Sequence, residues 1–408
     1  GGFDAVIGNP PYISFYSRES IKPSPAVERH LIHKFADEIG GRKNTFLMFL
    51  VQSARLASPN GYVAMIVPDT LTINDSYEAT RLHMTVSNLC SIARLDFPVF
   101  LGPTVRTTIP ILGPCTDKIV FRVYDSETAL AADTPGSAVL VQRSAILARR
   151  ACKWLFSDLP IQNLLSKIES ISVPLETLAE TRDGINPGPK SFRQVILNPH
   201  GPRKETWRPV LEGRHVQRYS IQPTDEIVDY DPTLLTPALK KRGSSFRDPR
   251  IFEPPKLVNR QTADTLIFAI DDTGAATLNS VHNTRALDGR RSTLLYLLGL
   301  LNSALLCFHY RRSTEETRDV FPQVHISALR QLPMRTIDFD DPADAARHDR
   351  MVALVERMLE LHKKLAAATI PADKALYQRQ IEATDREIDA LVYELYELTE
   401  EEIAIVEK

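Results

Sequence analysis

Residues 3–12 read Phe3-Asp4-Ala5-Val6-Ile7-Gly8-Asn9-Pro10-Pro11-Tyr12. The run Ala5-Val6-Ile7 is short and apolar, which suits a buried strand. Two consecutive prolines stop it, because each lacks an amide donor and fixes its own φ. A polar residue, two prolines and an aromatic ring therefore sit where open α/β sheets place ligands, at the carboxyl end of a strand. Working outward, apolar side chains at 46, 47, 49, 50, 51, 54 and 56 predict a helix over 45–57 with a wide buried face. Gly61 opens a strand, Tyr62 to Val67, that Pro68 closes. A helical stretch over 74–90 leads to a strand near 92–97, and strands near 106–112 and 118–124 follow. Strand and helix alternate and then strands pair late, which predicts an open α/β sheet with a hairpin edge.

Residues 126–137 are small and polar and read as a loop. The first domain is therefore placed at 1–135, with a bridging segment over 136–175. Over 176–335, short strand-like runs such as 256–260 and 265–270 alternate with turns, and an apolar helix is predicted over 292–309. This is a separate α+β domain. In the region 336–408, Met351, Leu354, Val355, Met358, Leu361 and Leu365 follow helical spacing, as do Ile388, Leu391, Val392 and Leu395. Pro371 separates the two runs, so a helical hairpin is expected.

No apolar run reaches the ~18 residues of a membrane span, and the first residues lack the layout of a signal peptide. The four cysteines, at 90, 115, 152 and 307, form no C-x-x-C motif, and no histidine pairs with them at zinc spacing. The expectation is a reduced cytoplasmic protein with no metal site and no membrane partner.

Net charge is −2, but it is unevenly spread. Residues 1–175 carry 17 basic and 15 acidic side chains, residues 176–335 carry 23 and 18, and residues 336–408 carry 9 and 18. An acidic tail hides a basic, arginine-rich middle. Arginine suits bidentate contacts to phosphates and to guanine.

The motif Asn9-Pro10-Pro11-Tyr12 has a specific chemical use. The lone pair of a ring-bound amine is delocalised into the ring, so the nitrogen is a poor nucleophile. Two acceptors that take its two N–H bonds favour a tetrahedral nitrogen. The Asn9 side-chain oxygen can be one and the Pro10 carbonyl the other. The prolines hold both without movement, which is electrostatic preorganisation. Tyr12 offers a flat face on which the ring can stack.

These residues resemble the amino-group DNA methyltransferases of restriction–modification and phage-exclusion systems, whose signature is Asn/Asp/Ser-Pro-Pro followed by an aromatic residue. Asn-Pro-Pro-Tyr is the form typical of the adenine-N6 members. Thr45 to Ser58 and Gly61 to Pro68 resemble the helix and strand after the family's catalytic loop. Phe97-Pro98-Val99-Phe100 and Thr104 to Ile109 resemble its later aromatic motif. The middle domain resembles the family's target recognition domain at Gly184-Ile185-Asn186-Pro187-Gly188, at Leu211 to Tyr219, at Lys256 to Arg260 and at Leu300-Leu301-Asn302-Ser303. The implied fold is the C-terminal part of a Rossmann-like methyltransferase sheet, then an α+β recognition domain and a helical hairpin. The implied cofactor is S-adenosylmethionine, with Asn9 and Pro11 against its methyl-bearing end. The implied partner is double-stranded DNA with the target base flipped out. Tyr12 would stack on that base, with Phe100 opposite and Phe97 as the alternative to Phe100.

The sequence departs from the family in one respect. Only eight residues precede Asn9, and none of the 17 glycines forms a Gly-x-Gly. The glycine-rich cofactor half is therefore expected upstream in the same polypeptide or on another chain, and residues 1–408 alone are expected to be inactive. Arg214, Arg218, Lys240, Lys241, Arg242, Lys256 and Arg260 lie in turn-rich parts of the middle domain and are the candidate DNA contacts. Two other readings stay open. A cytosine-N4 methyltransferase poses the same nitrogen problem, and a non-catalytic specificity module would need only the DNA-binding half. An endonuclease activity would have to lie outside these residues.

Overall fold

The computed structural model describes residues 1–15, 23–41, 43–100, 105–314 and 323–408; Thr104 of the later aromatic motif lies outside them. The chain forms two compact units, residues 1–169 and 170–408.

The first unit is an α/β sheet. Its elements include β1 (Phe3–Gly8), α1 (Thr45–Leu56), β2 (Ala57–Met65), α2 (Glu78–Ser87), β3 (Leu89–Leu95), β4 (Thr107–Leu112), β5 (Lys118–Tyr124) and β6 (Ser137–Gln142). The strand order is β1-β2-β4-β3-β5-β6, and the two-residue strand Val67–Pro68 also pairs with β4. β1 runs parallel to β2, with Ala5 opposite Tyr62 and Gly8 opposite Met65. β4 runs antiparallel to both of its long neighbours, which makes the late strands a hairpin-like wedge. Asn44 caps α1 by accepting the Phe46 N–H. The face of α1 carrying Phe46, Leu47, Leu50 and Val51 packs on Val63, Ile92 and Phe121 to form the main core. The sheet extends past residue 136, because β6 pairs with β5 from Lys118↔Gln142 to Val123↔Ser137. Residues 127–131 are a short helix rather than loop, since the Ser126 hydroxyl caps it through the Ala129 N–H.

The second unit holds β7 (Ala179–Asp183), β8 (Trp207–Leu211), α3 (Pro237–Lys241), β9 (Lys256–Arg260), β10 (Phe268–Asp271), β11 (Val281–Ala286), α4 (Arg291–Asn302), α5 (Ala304–Thr314), α6 (Ile326–Arg330), α7 (Pro342–Ala367) and α8 (Pro371–Leu395). An antiparallel sheet runs β10-β9-β11-β7, leaving β7 at one edge. β8 belongs to a smaller three-stranded sheet. α7 and α8 form the expected hairpin, and α7 packs on α4.

The single helix expected over 292–309 is instead two helices bent by 62°. Side chains intercept the backbone at the break, which is a recognised cause of kinks. The Asn302 side chain bonds both the N–H and the carbonyl of Phe268, at 2.9 and 3.0 Å. Asp389 accepts the Ala304 N–H at 2.8 Å, and the Ser303 hydroxyl accepts the Leu306 N–H. No single helix among the described residues is long and apolar enough to cross a membrane; the bent pair α4–α5 passes that test only when its helices are taken together.

Candidate active site

The loop after β1 is held from outside, so that its polar tip stays unengaged. Pairing persists to the last strand residue, where the Gly8 carbonyl accepts the Ile66 N–H at 3.1 Å. A Cβ on Gly8 would meet Met65 Cε at 3.2 Å, so a larger residue would press on the neighbouring strand. Thr45, the first residue of α1, clamps the next turn. Its hydroxyl accepts the Ile13 N–H at 3.0 Å and donates to the Pro11 carbonyl. Its own N–H donates to the Ile13 carbonyl at 3.0 Å. The Tyr12 hydroxyl donates to the Ile66 carbonyl at 2.9 Å. Asn9 and Pro11 are exposed. Among the described residues, the Asn9 carboxamide and the Pro10 carbonyl take part in no hydrogen bond. The backbone that carries these two acceptors is bonded elsewhere, and Pro10, between the exposed Asn9 and Pro11, is buried.

An aromatic group lies next to them. The Tyr12 ring meets Phe46 edge-on, with centroids 6.1 Å apart, and meets Phe100 at 6.4 Å and 74°. Phe97 instead packs with Ile66, Ala93, Leu95 and Tyr124. The structure therefore brings Phe100 to Tyr12 and gives Phe97 to the core. Burial pushes the Tyr12 hydroxyl up to about 12, so it stays protonated at neutral pH and serves as a donor, not a base.

β1 is an edge strand. Its side away from β2 pairs with nothing among the described residues, and Phe3 and Ile7 are 61% and 82% exposed. The sequence reading of a buried strand fails here. An apolar edge of this kind is a template for a further strand.

The seven candidate basic residues of the second unit separate into two groups. Lys240, Lys241 and Arg242 are exposed at the end of α3, and among the described residues they make no ion pair. Arg214 is exposed but bound to Glu226 and, at 3.3 Å, to Glu212. The other three serve the fold. Lys256 is fully buried in β9, where its ammonium bonds Asp271 and the Ala275 carbonyl. Arg218 makes a bidentate pair with Asp385 of α8, at 2.8 Å for each bond, and donates to the Asn302 carbonyl. Arg260 donates through Nε to the Val216 carbonyl at 2.5 Å. Lys256 is corrected from a surface contact to an internal tie, because it is fully buried, whereas Arg218 and Arg260 are partly exposed and bonded within the fold. Sequence reasoning also missed the clamp at Thr45, for which a threonine at a helix start was the one available signal.

Residues 1–100 match the family described as Eco57I restriction-modification methylase. Residues 208–334 match the TaqI-like C-terminal specificity domain. A Methanocaldococcus jannaschii protein named as a type II restriction enzyme and methyltransferase is 26% identical over 350 residues, covering 82% of this chain and 27% of that protein. The type II methyltransferase M.AccI of Acinetobacter calcoaceticus is 24% identical over 199 residues, covering 47% of this chain and 36% of its own. The chain thus spans about a quarter to a third of the length of these relatives. Among solved structures, the type IIL restriction-modification enzyme MmeI in complex with DNA shares the fold, with a TM-score of 0.57 and 12% identity over 98% of this chain and 55% of that one.

Proposed function

We propose, from the premise that this chain belongs to the restriction–modification methyltransferases with a recognition domain, that it carries the catalytic loop and the DNA-reading domain of an adenine-N6 DNA methyltransferase. One observation carries the reading. Two unengaged acceptors, on Asn9 and Pro10, stand at the end of a strand beside Tyr12 and Phe100. A flipped adenine stacked on Tyr12 would give its two amine hydrogens to those acceptors, which exposes the nitrogen lone pair for attack. Tyr12 and Phe100 now meet edge to face, so capture of a base between parallel rings requires Phe100 to turn. No residue need act as a strong base, since the amine proton can leave after transfer.

The exposed Asn9 and Pro11 fit the methyl-bearing end of S-adenosylmethionine, because a polar acceptor and a rigid ring are both open there. When bound, that cofactor supplies an electrophilic methyl group. Its adenosine and carboxylate contacts fall to a segment outside residues 1–408, for which the open edge of β1 is the docking strand. Lys240, Lys241, Arg242 and Arg214 are the remaining candidates for phosphate contacts in double-stranded DNA. A cytosine-N4 target would use the same acceptors in the same way.

Tyr12 provides the test of base capture. Tyr12→Ala should weaken methyl transfer by roughly 1–3 kcal/mol, the usual worth of a base–aromatic stack. Tyr12→Phe keeps the ring and loses only the bond to the Ile66 carbonyl, so it should retain most activity. Single-turnover methylation of target DNA reads both. Equal losses in the two variants would assign Tyr12 to anchoring the loop and not to stacking.

A further inference from the structure

The second unit contains a cleft of about 630 Å³ that no candidate residue above lines. It lies along β7, the edge strand, between the segment around residues 247–251 and α6. Five guanidinium groups converge on it, from Arg182, Arg247, Arg250, Arg285 and Arg330, and so does the carboxylate of Asp183.

Each guanidinium is tied down on part of its surface. The Nε of Arg182 donates to Glu180 at 2.8 Å, and its Nη1 and Nη2 make no hydrogen bond among the described residues. Arg250 grips Asp248 through Nε and Nη2, and its Nη1 makes no hydrogen bond among the described residues. Arg285 donates to the Arg250 carbonyl at 2.6 Å, and Arg330 donates to the Thr181 carbonyl at 2.8 Å. Asp183 is held by the buried His282, whose Nδ1 lies 2.9 Å from its carboxylate. The Nε2 of that ring lies 2.9 Å from the Val324 carbonyl, which fixes the imidazole. Arg247 approaches the same carboxylate at 3.5 Å.

The chemistry of this lining argues against a simple phosphate site. Carboxylates repel phosphate, and Glu180, Asp183 and Asp248 all line the cleft. Base edges in the major groove present a different demand. Guanine offers two acceptors, O6 and N7, that match an arginine fork, while cytosine offers an amine donor that needs an acceptor such as aspartate. Oriented forks beside an oriented carboxylate satisfy both partners of a G·C pair. Holding a fork by one edge also lowers the entropy lost when it bonds a base.

We propose that this cleft reads base edges in the DNA, with Arg182 and Arg250 as the donors to guanine and Asp183 as the acceptor of an exocyclic amine. The proposal rests on the reading of the chain as part of a DNA methyltransferase. It deepens that reading by assigning sequence discrimination to residues outside the motifs that resemble a target recognition domain.

The test uses the full-length natural protein with S-adenosylmethionine and a library of randomised duplexes. The bound and the methylated duplexes are sequenced, and binding is followed against salt. Arg182 and Arg250 side chains are 56% and 77% exposed, so Arg182→Ala and Arg250→Ala should melt like the parent. Each should relax the preference at one G·C position by roughly 5- to 150-fold, leaving the salt slope unchanged. Arg182→Lys, which cannot form the fork, should relax it as well. A retained preference with a salt slope shallower by about one would make the arginines phosphate contacts and overturn the proposal. Unchanged preference and unchanged slope would place the cleft off the DNA and also overturn it. A parent protein that neither binds nor methylates any duplex would refute the methyltransferase reading itself, before any variant is compared.

Discussion

Asn9→Ala is expected to slow methyl transfer to the target amine by roughly 10²–10³-fold, the usual loss when one preorganised polar group is taken from a reacting centre. The variant removes one of the two acceptors and touches nothing that holds the loop. The loop is fixed by Thr45 and by the bond from Tyr12 to Ile66, and the Asn9 carboxamide bonds neither. Melting temperature and DNA affinity should therefore stay at the parent values. The loss should fall on the rate at saturating DNA, because the acceptor matters most as the nitrogen becomes tetrahedral. Asn9→Asp keeps an acceptor in place and should lose less. Single-turnover rates of the natural full-length protein give the comparison. A rate within a few-fold of the parent in Asn9→Ala would remove Asn9 from the chemistry.

The largest effect on stability is expected at Lys256. Its ammonium and the Asp271 carboxylate are both almost wholly buried, and the two residues face each other across β9 and β10. Lys256→Ala leaves a carboxylate in the interior without its cation. Breaking such a pair from one side usually costs about 3–5 kcal/mol. The lower end applies here, because Asp271 also accepts bonds from the Thr273 N–H, the Thr273 hydroxyl and the Ala275 N–H. A fall in melting temperature on the order of 10 °C follows for a unit of this size. Replacing both partners, as in Lys256→Met with Asp271→Leu, should return only part of that loss, since the desolvation cost disappears but the Thr273 and Ala275 N–H groups lose their acceptor. The salt dependence of DNA binding should be the same in the folded double variant as in the parent. A shallower slope would show that Lys256 contacts phosphate after all.

The parts that were legible in the sequence are those governed by neighbours. Two prolines after Ala5-Val6-Ile7 define the end of β1 wherever the chain goes, and the apolar spacing of Phe46 to Leu56 defines α1. The Ser126 cap was equally local, but small polar residues disguised it as loop. The parts that were not legible depend on distant partners. Tyr12 and Phe100 meet across 88 positions, and only the family resemblance suggested it. Lys256 and Arg218 read as surface charge because Asp271 and Asp385 reach them only through sheet pairing and helix packing. The break at Ser303 depends on Asn302 bonding the backbone of Phe268, which no helical periodicity reveals. The arginine excess of the middle region was plain in the composition. Its convergence on one cleft beside β7 was not.

The most direct measurement of the central claim is chemical. The natural full-length protein is incubated with plasmid DNA and S-adenosylmethionine labelled in the methyl group, and the DNA is digested to nucleosides. The expected result is label in N6-methyldeoxyadenosine, absent when Asn9 is alanine. Label in N4-methyldeoxycytidine would keep the acceptor mechanism and change the target base. DNA bound without label in any nucleoside would contradict the claim and leave a specificity module that reads DNA without modifying it.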